Sequence, residues 1–570
     1  MNIKNALLSL FTIITLTSYS QNVNFDWAKR IGGTGRDKGQ SIIVDASGNI
    51  YTIGTFEDTV DFDPGPALYN LIAVGEKDIF ICKSDALGNL IWAKSMGGAL
   101  RDEAYSISVD LSGNVYIIGI FTGTADFDPG PSSYNLTAIG YHDTYISKLD
   151  FLGNFVWAKK MGGGPTSFCD SFSILTDASG NVYTTGSFGG TVDFDPGSAI
   201  NNVTCVYVGD IFMTKLDTAG NFKWVKTMGG SYSEYGASIA LDITGNIYTI
   251  GIFEATVDFN PGPAINNITA IGDYDIFISK LDSAGNFVWA KSMGAVGPFG
   301  INLLNIGNSI FIDSSSNVYT TGSFAGTTDF DPGPTVFNLT ATNINDIFIS
   351  KLDSAGNFVW AKSMGGLNFD EGKSIFVDVA GNIYITGLFE KTADFDPGPS
   401  VFSLTAAGIW DVFISKLDPT GNLVWAKSMG STLNDNGLSI IVDPFDNIYT
   451  TGFFQGTVDF DPDSSTYNLT SDGDYDIFIH KMSQTATGIN EEAFNQVKIF
   501  PNPTKDELNI QVENTVIGSI YQLTDITGRP IVRGIITEEK SRISLQGYSS
   551  GIYFFSIGNE KGNTFKFVKE

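Results

Sequence analysis

Ser106–Gly163 reads SISVDLSGNVYIIGIFTGTADFDPGPSSYNLTAIGYHDTYISKLDFLGNFVWAKKMGG, and its pattern decides the fold. Four short segments rich in β-branched and aromatic residues stand between turn signals: Ser106–Asp110, Val115–Phe121, Thr144–Leu149 and Phe155–Met161. Asp110-x-x-Gly-Asn114 joins the first two and Asp150-x-x-Gly-Asn154 the last two. In such a turn the carboxylate caps the backbone and Gly takes the left-handed position. Helical periodicity is absent. The pattern predicts a four-stranded antiparallel sheet.

The unit recurs. Trp-Ala/Val-Lys begins at Trp27, Trp92, Trp157, Trp224, Trp289, Trp360 and Trp425, and first strands start near Ser41, Ser106, Ser173, Ser238, Ser309, Ser374 and Ser439. Radial repetition of four-stranded units is the signature of a β-propeller. The two ends of the array complement each other. The last unit stops at Asp476–Met482 without its Trp-Ala-Lys strand, and Trp27 has no three strands before it. Residues 23–31 are therefore predicted to supply the fourth strand of the last blade and close the ring. An open solenoid predicts no such complementary halves. The expected fold class is all-β: a seven-bladed β-propeller over residues 21–483, a linker at 484–495, and a small immunoglobulin-like β-sandwich over 496–570.

The second-strand hairpins, such as Ser374-Ile-Phe-Val-Asp-x-x-Gly-Asn-Ile-Tyr-x-Thr-Gly387, resemble the bacterial β-propeller repeat called SBBP. The likeness spans about 21–483 and implies fold. This chain departs from the short family pattern by a long insert between the second and third strands.

Composition supports an extracellular setting. Lys4 followed by an apolar run from Ala6 to Leu16 and the small residues Ser18 and Ser20 reads as a signal peptide cleaved before Gln21. The apolar run is too short for a transmembrane segment, and no other stretch approaches the needed length. Net charge is −29, all of it in residues 21–483, which carry 23 basic and 52 acidic side chains. Such a surface repels nucleic acid and suits solubility or cation binding. Cys82, Cys169 and Cys205 fall at unrelated repeat positions, giving neither a disulfide framework nor a zinc spacing.

In a four-stranded meander the connections between second and third strands, and between consecutive blades, share one face. Here that face carries every long or variable loop, which makes it the expected binding face. The insert has the core Asp-Phe-Asp-Pro-Gly-Pro, with the pairs Asp61/Asp63, Asp126/Asp128, Asp193/Asp195, Asp329/Asp331, Asp394/Asp396 and Asp459/Asp461; the remaining copy is Asp258/Asn260. Two carboxylates two residues apart can ligate a hard cation such as Ca2+, although a site wants about six oxygens. The alternative is a turn in which Phe points inward and the acids to water. An acid also precedes the first-strand Ser by four residues at Asp37, Asp102, Glu234, Asp370 and Asp435, with Cys169 and Asn305 in the other blades. Recurrence suits a scaffold group rather than a catalyst. Asymmetry concentrates in two inter-blade loops: Gly162–Ser171, with Pro165 and Cys169, and Gly294–Asn308, with Pro298 and Phe299.

Only His142 and His480 are available for histidine chemistry, and no nucleophile elbow, zinc motif or phosphate loop occurs. No catalytic or cofactor-binding residue is assigned.

Beyond Ser483 the pattern changes. Val497–Phe500, Leu508–Val512, Ile520–Thr524, Ile543–Leu545, Gly551–Ile557 and Phe565–Val568 read as short strands of a sandwich. Phe500-Pro501-Asn502-Pro503, Leu523-x-Asp-x-x-Gly528-Arg529, Leu545, Gly551-Ile552-Tyr553 and Lys566-Phe-Val-Lys569 resemble the type A sorting domain of the Bacteroidota type IX secretion system. The resemblance implies the secretion machinery as partner, export across the outer membrane, and surface attachment or release. The expectation is a non-enzymatic surface or extracellular binding protein, for a glycan, matrix or surface-protein ligand. A paired-carboxylate carbohydrate-active enzyme and a structural surface-layer component are the alternatives.

Overall fold

The computed structural model describes residues 22–45, 47–295, 305–463, 465–485, 497–512, 520–525, 530–557 and 564–569. The expected signal peptide, most of the expected linker, Gly528, Arg529, Pro298 and Phe299 lie outside these. The chain divides into two units, Asn24–Ser483 and a second containing Gln484–Glu570.

Seven antiparallel sheets, each with a four-stranded core, fill the first unit among the described residues, and five of them are extended to six strands by a hairpin of the next blade. In the second blade the strands are Asp102–Val109, Val115–Phe121, Asp143–Leu149 and Phe155–Gly163, from inner to outer. The last blade combines Asn436–Val442, Ile448–Phe454 and Asp476–Thr485 with Asn22–Ile31, so the N-terminal segment is its fourth strand. Inner strands contact one another in cyclic order, Lys38–Val44 meeting both Asp102–Val109 and Asn436–Val442. The Ser439 hydroxyl accepts from the Ile42 amide across the closing junction (3.2 Å), as Ser106 does from Ile174 and Ser374 from Ile440. Close approach of first and second strands requires glycine: a Cβ at Gly119 would sit 1.8 Å from the Glu103 carbonyl oxygen.

The core lies between blades. One cluster joins Tyr51, Ile79 and Trp92 of the first blade to Ile107, Phe121 and Tyr145 of the second. Tyr51, Tyr116, Tyr183, Tyr248, Tyr319, Tyr384 and Tyr449 are all fully buried, each beneath a third-strand lysine such as Lys83, 4.7 Å from the Tyr51 ring.

The insert is more ordered than a loop. Thr124–Asp126 pairs with Asn135–Thr137, and this hairpin adds to the outer strand of the preceding blade through Ala125–Gly98 and Asp126–Gly97. Gly32–Asp61 makes the equivalent bridge to the N-terminal strand. Phe127 anchors the hairpin in the core, 4.7 Å from the Tyr145 ring. Burying that side chain contributes about 2–3 kcal/mol, more than a three-residue ladder supplies.

In the second unit, sheets of Val497–Phe500, Glu507–Val512 and Lys540–Ser544, and of Pro530–Ile535, Ile520–Asp525, Gly551–Ile557 and Thr564–Lys569, share one core containing Leu508, Leu523, Ile543 and Phe555. This is a small β-sandwich.

Candidate functional site

Two carboxyls meet at the start of most inter-blade connections. One is the acid four residues before the first-strand Ser. The other opens the third strand and is Asp in all seven blades: Asp78, Asp143, Asp210, Asp275, Asp346, Asp411 and Asp476, every one buried. Parallel bridges Arg36–Tyr475, Lys77–Arg101, Gly209–Ser233, Asn345–Phe369 and Trp410–Asn434 set the next residues abreast. The resulting pairs are Asp37 with Asp476, Asp102 with Asp78, Glu234 with Asp210, Asp370 with Asp346, and Asp435 with Asp411. All but Glu234 accept from backbone amides. Asp102 accepts from the Gly98 amide (2.7 Å) and the Thr122 amide (3.3 Å), while Asp78 accepts from the Val74 amide (2.9 Å). Burial pushes Asp37, Asp102 and Asp370 up to about 7 and Glu234 up to about 8, against the pull of amide donors. Asn305 replaces the acid in one blade, its oxygen accepting from Ala325 and its amide donating to the Tyr274 carbonyl. These acids are scaffold.

A different group gathers where the inner strands open on the expected binding face. A cavity of about 380 Å3 is lined by Lys38, Gln40, Thr55, Lys77, Arg101, Glu103, Tyr105, Lys373, Asn436 and Phe453, drawn from four blades. Arg101 grips Glu103 through Nε and Nη2, both at 2.9 Å, and the Tyr105 hydroxyl donates to Glu103 at 2.7 Å. Lys77 lies 3.6 Å from Glu103 and 3.8 Å from Glu57. Lys373 pairs with Glu371 at 2.7 Å, and Asn308 donates to the other Glu371 oxygen at 2.8 Å. The Lys38 ammonium stands over the rings of Phe453 (4.6 Å) and Tyr475 (5.2 Å). Burial and the neighbouring Lys77 pull its pKa down. Tyr105, Phe172 and Tyr235 continue the rim as an aromatic arc with centroids 5.7 Å apart.

The lining comes from positions that differ from blade to blade. Lys38 is matched by Glu103, Asp170, Tyr235, Ile306, Glu371 and Asn436, and Lys373 by Gln40, Tyr105, Phe172, Ala237, Asn308 and Leu438. Comparing the repeats position by position would have found them; searching for recurring motifs passes over single-copy residues.

The Asp-x-Asp pairs lie in the hairpin turns. Asp126 Oδ1 accepts from the amides of Asp128 (3.0 Å) and Tyr134 (2.8 Å), and Asp128 accepts from Gly130 (2.8 Å). The same bonds recur at Asp61 and Asp63, Asp193 and Asp195, Asp258 and Asn260, Asp329 and Asp331, and Asp394 and Asp396. Asp459 follows suit, and Asp461 accepts from Asp463. Among the described residues, no group of three or more His, Cys, Asp or Glu is placed to hold a metal ion. His142 stands 3.1 Å from Asp170, and His480 is buried with Nε2 3.0 Å from the Phe460 carbonyl, its pKa pulled down to about 4 by burial. The three cysteines are buried and free.

In the sandwich, Pro501 and Pro503 follow cis peptide bonds. Asn502 between them ties the turn to the last strand: its amide donates to the Lys566 carbonyl (3.1 Å) and its oxygen accepts from the Val568 amide (2.9 Å). Gly551 and Ile552 open the strand in which the Tyr553 ring is buried, its hydroxyl donating to the Ser549 carbonyl (2.7 Å). Lys566 and Lys569 lie on the terminal strand.

Fold and ends together define a repeat propeller joined to a secretion domain. Residues 26–55 match the family described as beta-propeller repeat (SBBP), and residues 498–570 match the secretion system C-terminal sorting domain. The chain therefore carries an SBBP β-propeller repeat and a type IX C-terminal sorting domain, and it is exported to the cell surface or extracellular space. It is similar to the uncharacterized WD repeat-containing protein L264 of Acanthamoeba polyphaga mimivirus, with 24% identity covering 79% of this chain and 38% of the relative. It is also similar to the regulatory protein FlaEY of Caulobacter vibrioides, with 25% identity over 38% of this chain and 22% of that protein. The chain thus spans well under half the length of these relatives. Among solved structures, PorZ, a surface component of the type IX secretion system of Porphyromonas gingivalis, aligns at 11% identity and TM-score 0.16, covering 96% of this chain and all of PorZ. Among the described residues no helix is long and apolar enough to cross a membrane.

Proposed function

We propose that the exported propeller is a non-enzymatic binding protein of the cell surface or extracellular space, which seats its ligand at the mouth of the ring. The observation that carries this is the cavity itself: single-copy polar and aromatic side chains from four blades converge on about 380 Å3, a size suited to a small ligand. Rigid strands hold the lining, so little ordering entropy opposes binding. Binding is favoured over catalysis because the carboxylates here are already engaged, Glu103 by Arg101 and Tyr105, Glu371 by Lys373 and Asn308.

The test is binding of the full chain to immobilised extracellular polysaccharides and matrix proteins, with two variants compared. Gln40→Trp fills the mouth; Tyr134→Ala alters the outer rim, where Tyr134 is 40% exposed. Binding lost only in Gln40→Trp, with an unchanged melting curve, is the expected result. Binding that survives Gln40→Trp overturns the assignment.

A further inference from the structure

Residues 21–483 carry more than two acids for each base, yet at the mouth the four cations Lys38, Lys77, Arg101 and Lys373 outnumber the carboxylates beside them, Glu57, Glu103 and Glu371, each of which is already paired. The cavities on the opposite face keep the general bias: one holds Asp45 and Asp110 with Lys83, another Asp313 and Asp378 with Lys351. Repetition does not explain the four cations. They occupy four different positions of the repeat, in three blades, and converge only in the folded ring. Lys38 has no carboxylate oxygen within 4 Å among the described residues, and its charge rests on two aromatic faces.

We infer that the mouth binds an anionic saccharide, a sugar unit bearing a carboxylate or sulfate whose charge is taken up by Lys38, with Lys373 adding the N–H donors left over from its pair with Glu371. This rests on the mouth being the binding site. The remaining lining fits that class. Tyr105 and Phe453 offer ring surface to a sugar face, and Gln40, Thr55 and Asn436 offer donors and acceptors to hydroxyls. Aliphatic lining is confined to Ala104 and Leu438, too little for a peptide side chain or lipid. Inside a negative field, a local excess of cations also selects, because the acidic surroundings disfavour anions elsewhere.

The experiment is calorimetric titration of the full chain with three probes at low and high salt: a uronic acid disaccharide, a sulfated disaccharide and neutral cellobiose. Lys38→Gln, Lys373→Gln and Gln40→Trp are run alongside, with melting curves confirming that each is folded. The expected result is binding of one or both anionic probes, distinguishing carboxylate from sulfate, weakened by salt and by about 10-fold or more in each lysine variant, with no heat from cellobiose. Cellobiose binding as tightly as the anionic probes overturns the inference; if Gln40→Trp abolishes it, the mouth stands as the site and only its charge preference falls. Anionic binding that is indifferent to Gln40→Trp overturns both. No heat from either anionic probe overturns the inference, and the polymer panel then judges the mouth by itself.

Discussion

The carboxyls of Asp78 and Asp102 lie side by side in the interior because Lys77 and Arg101 form a parallel bridge, with the Asp102 amide donating to the Lys77 carbonyl at 2.9 Å. Burial pushes Asp78 up to about 6 and Asp102 up to about 7. Four other junctions repeat the arrangement; at one, Arg30 stands 2.8 Å from Asp476.

A pH dependence follows. These acids have folded pKa values above the unfolded value of about 4, so their protonated form is favoured by folding. The stability they contribute is complete below about pH 4 and is lost as pH rises through about 6 to 8. An acid held one pH unit above its unfolded value costs about 1.4 kcal/mol once ionised. His480, held down at about 4, works oppositely but only below about pH 6.5. The melting temperature should fall by at least a few degrees from about pH 6.5 to 8. Asp102→Asn, which copies the native Asn305, should flatten that slope. A melting temperature constant over this window would show the pairs to be relaxed in solution.

The acids of the Asp-Phe-Asp turns should behave as caps. Asp126→Ala frees the Asp128 and Tyr134 amides and should cost about 1–2 kcal/mol, read as a lower denaturant midpoint. Each turn offers fewer oxygens than Ca2+ wants, so we propose that added calcium leaves the melting curve of the full chain unchanged. A calcium-dependent rise that Asp126→Ala reduces would reassign these aspartates as ligands.

The closing strand offers a complementation test. Arg30 bonds Asp472 at 2.7 Å and Asp476 at 2.8 Å, and Asp26 accepts from Ser483 at 2.6 Å, so Asn22–Ile31 is fastened to the third strand along its length. Deleting residues 22–31 should expose a strand edge and lower the melting temperature by ten degrees or more. A synthetic peptide of that strand should restore much of the loss by pairing with the open edge. If the deletion melts like the intact chain, the last blade does not need its N-terminal strand.

The sorting domain makes export testable at the sandwich. Asn502 holds the Pro501–Pro503 turn to the terminal strand, so Asn502→Ala removes two bonds and should cost about 1–2 kcal/mol. Removing residues 498–570 should abolish appearance of the protein outside the cell, followed by surface proteolysis and immunoblotting. Undiminished export of the truncated chain would locate the signal elsewhere.

How much was legible from sequence differs by element. Second strands such as Val115–Phe121 match residue for residue, since turn residues flank them on both sides. First strands such as Asp102–Val109 begin earlier than the pattern suggests, because the backbone there is organised by contact with the next blade. The insert hairpin was hidden: Thr124–Asp126 is too short to show alternation and is stabilised by Phe127 and the neighbouring blade. The invariant Asp143 position passed unremarked because a single polar residue at a strand start carries no periodic signal.

Sequence alone determined the number of blades, the closing strand and the export route, because these rest on repetition, complementary ends and contiguous motifs. The tertiary structure decided the rest. Lys38, Lys77, Arg101 and Lys373 share one cavity although more than 330 residues separate the first from the last. No local pattern links them. Closing the ring brings the last blades beside the first, and only that closure gathers their charges at one mouth.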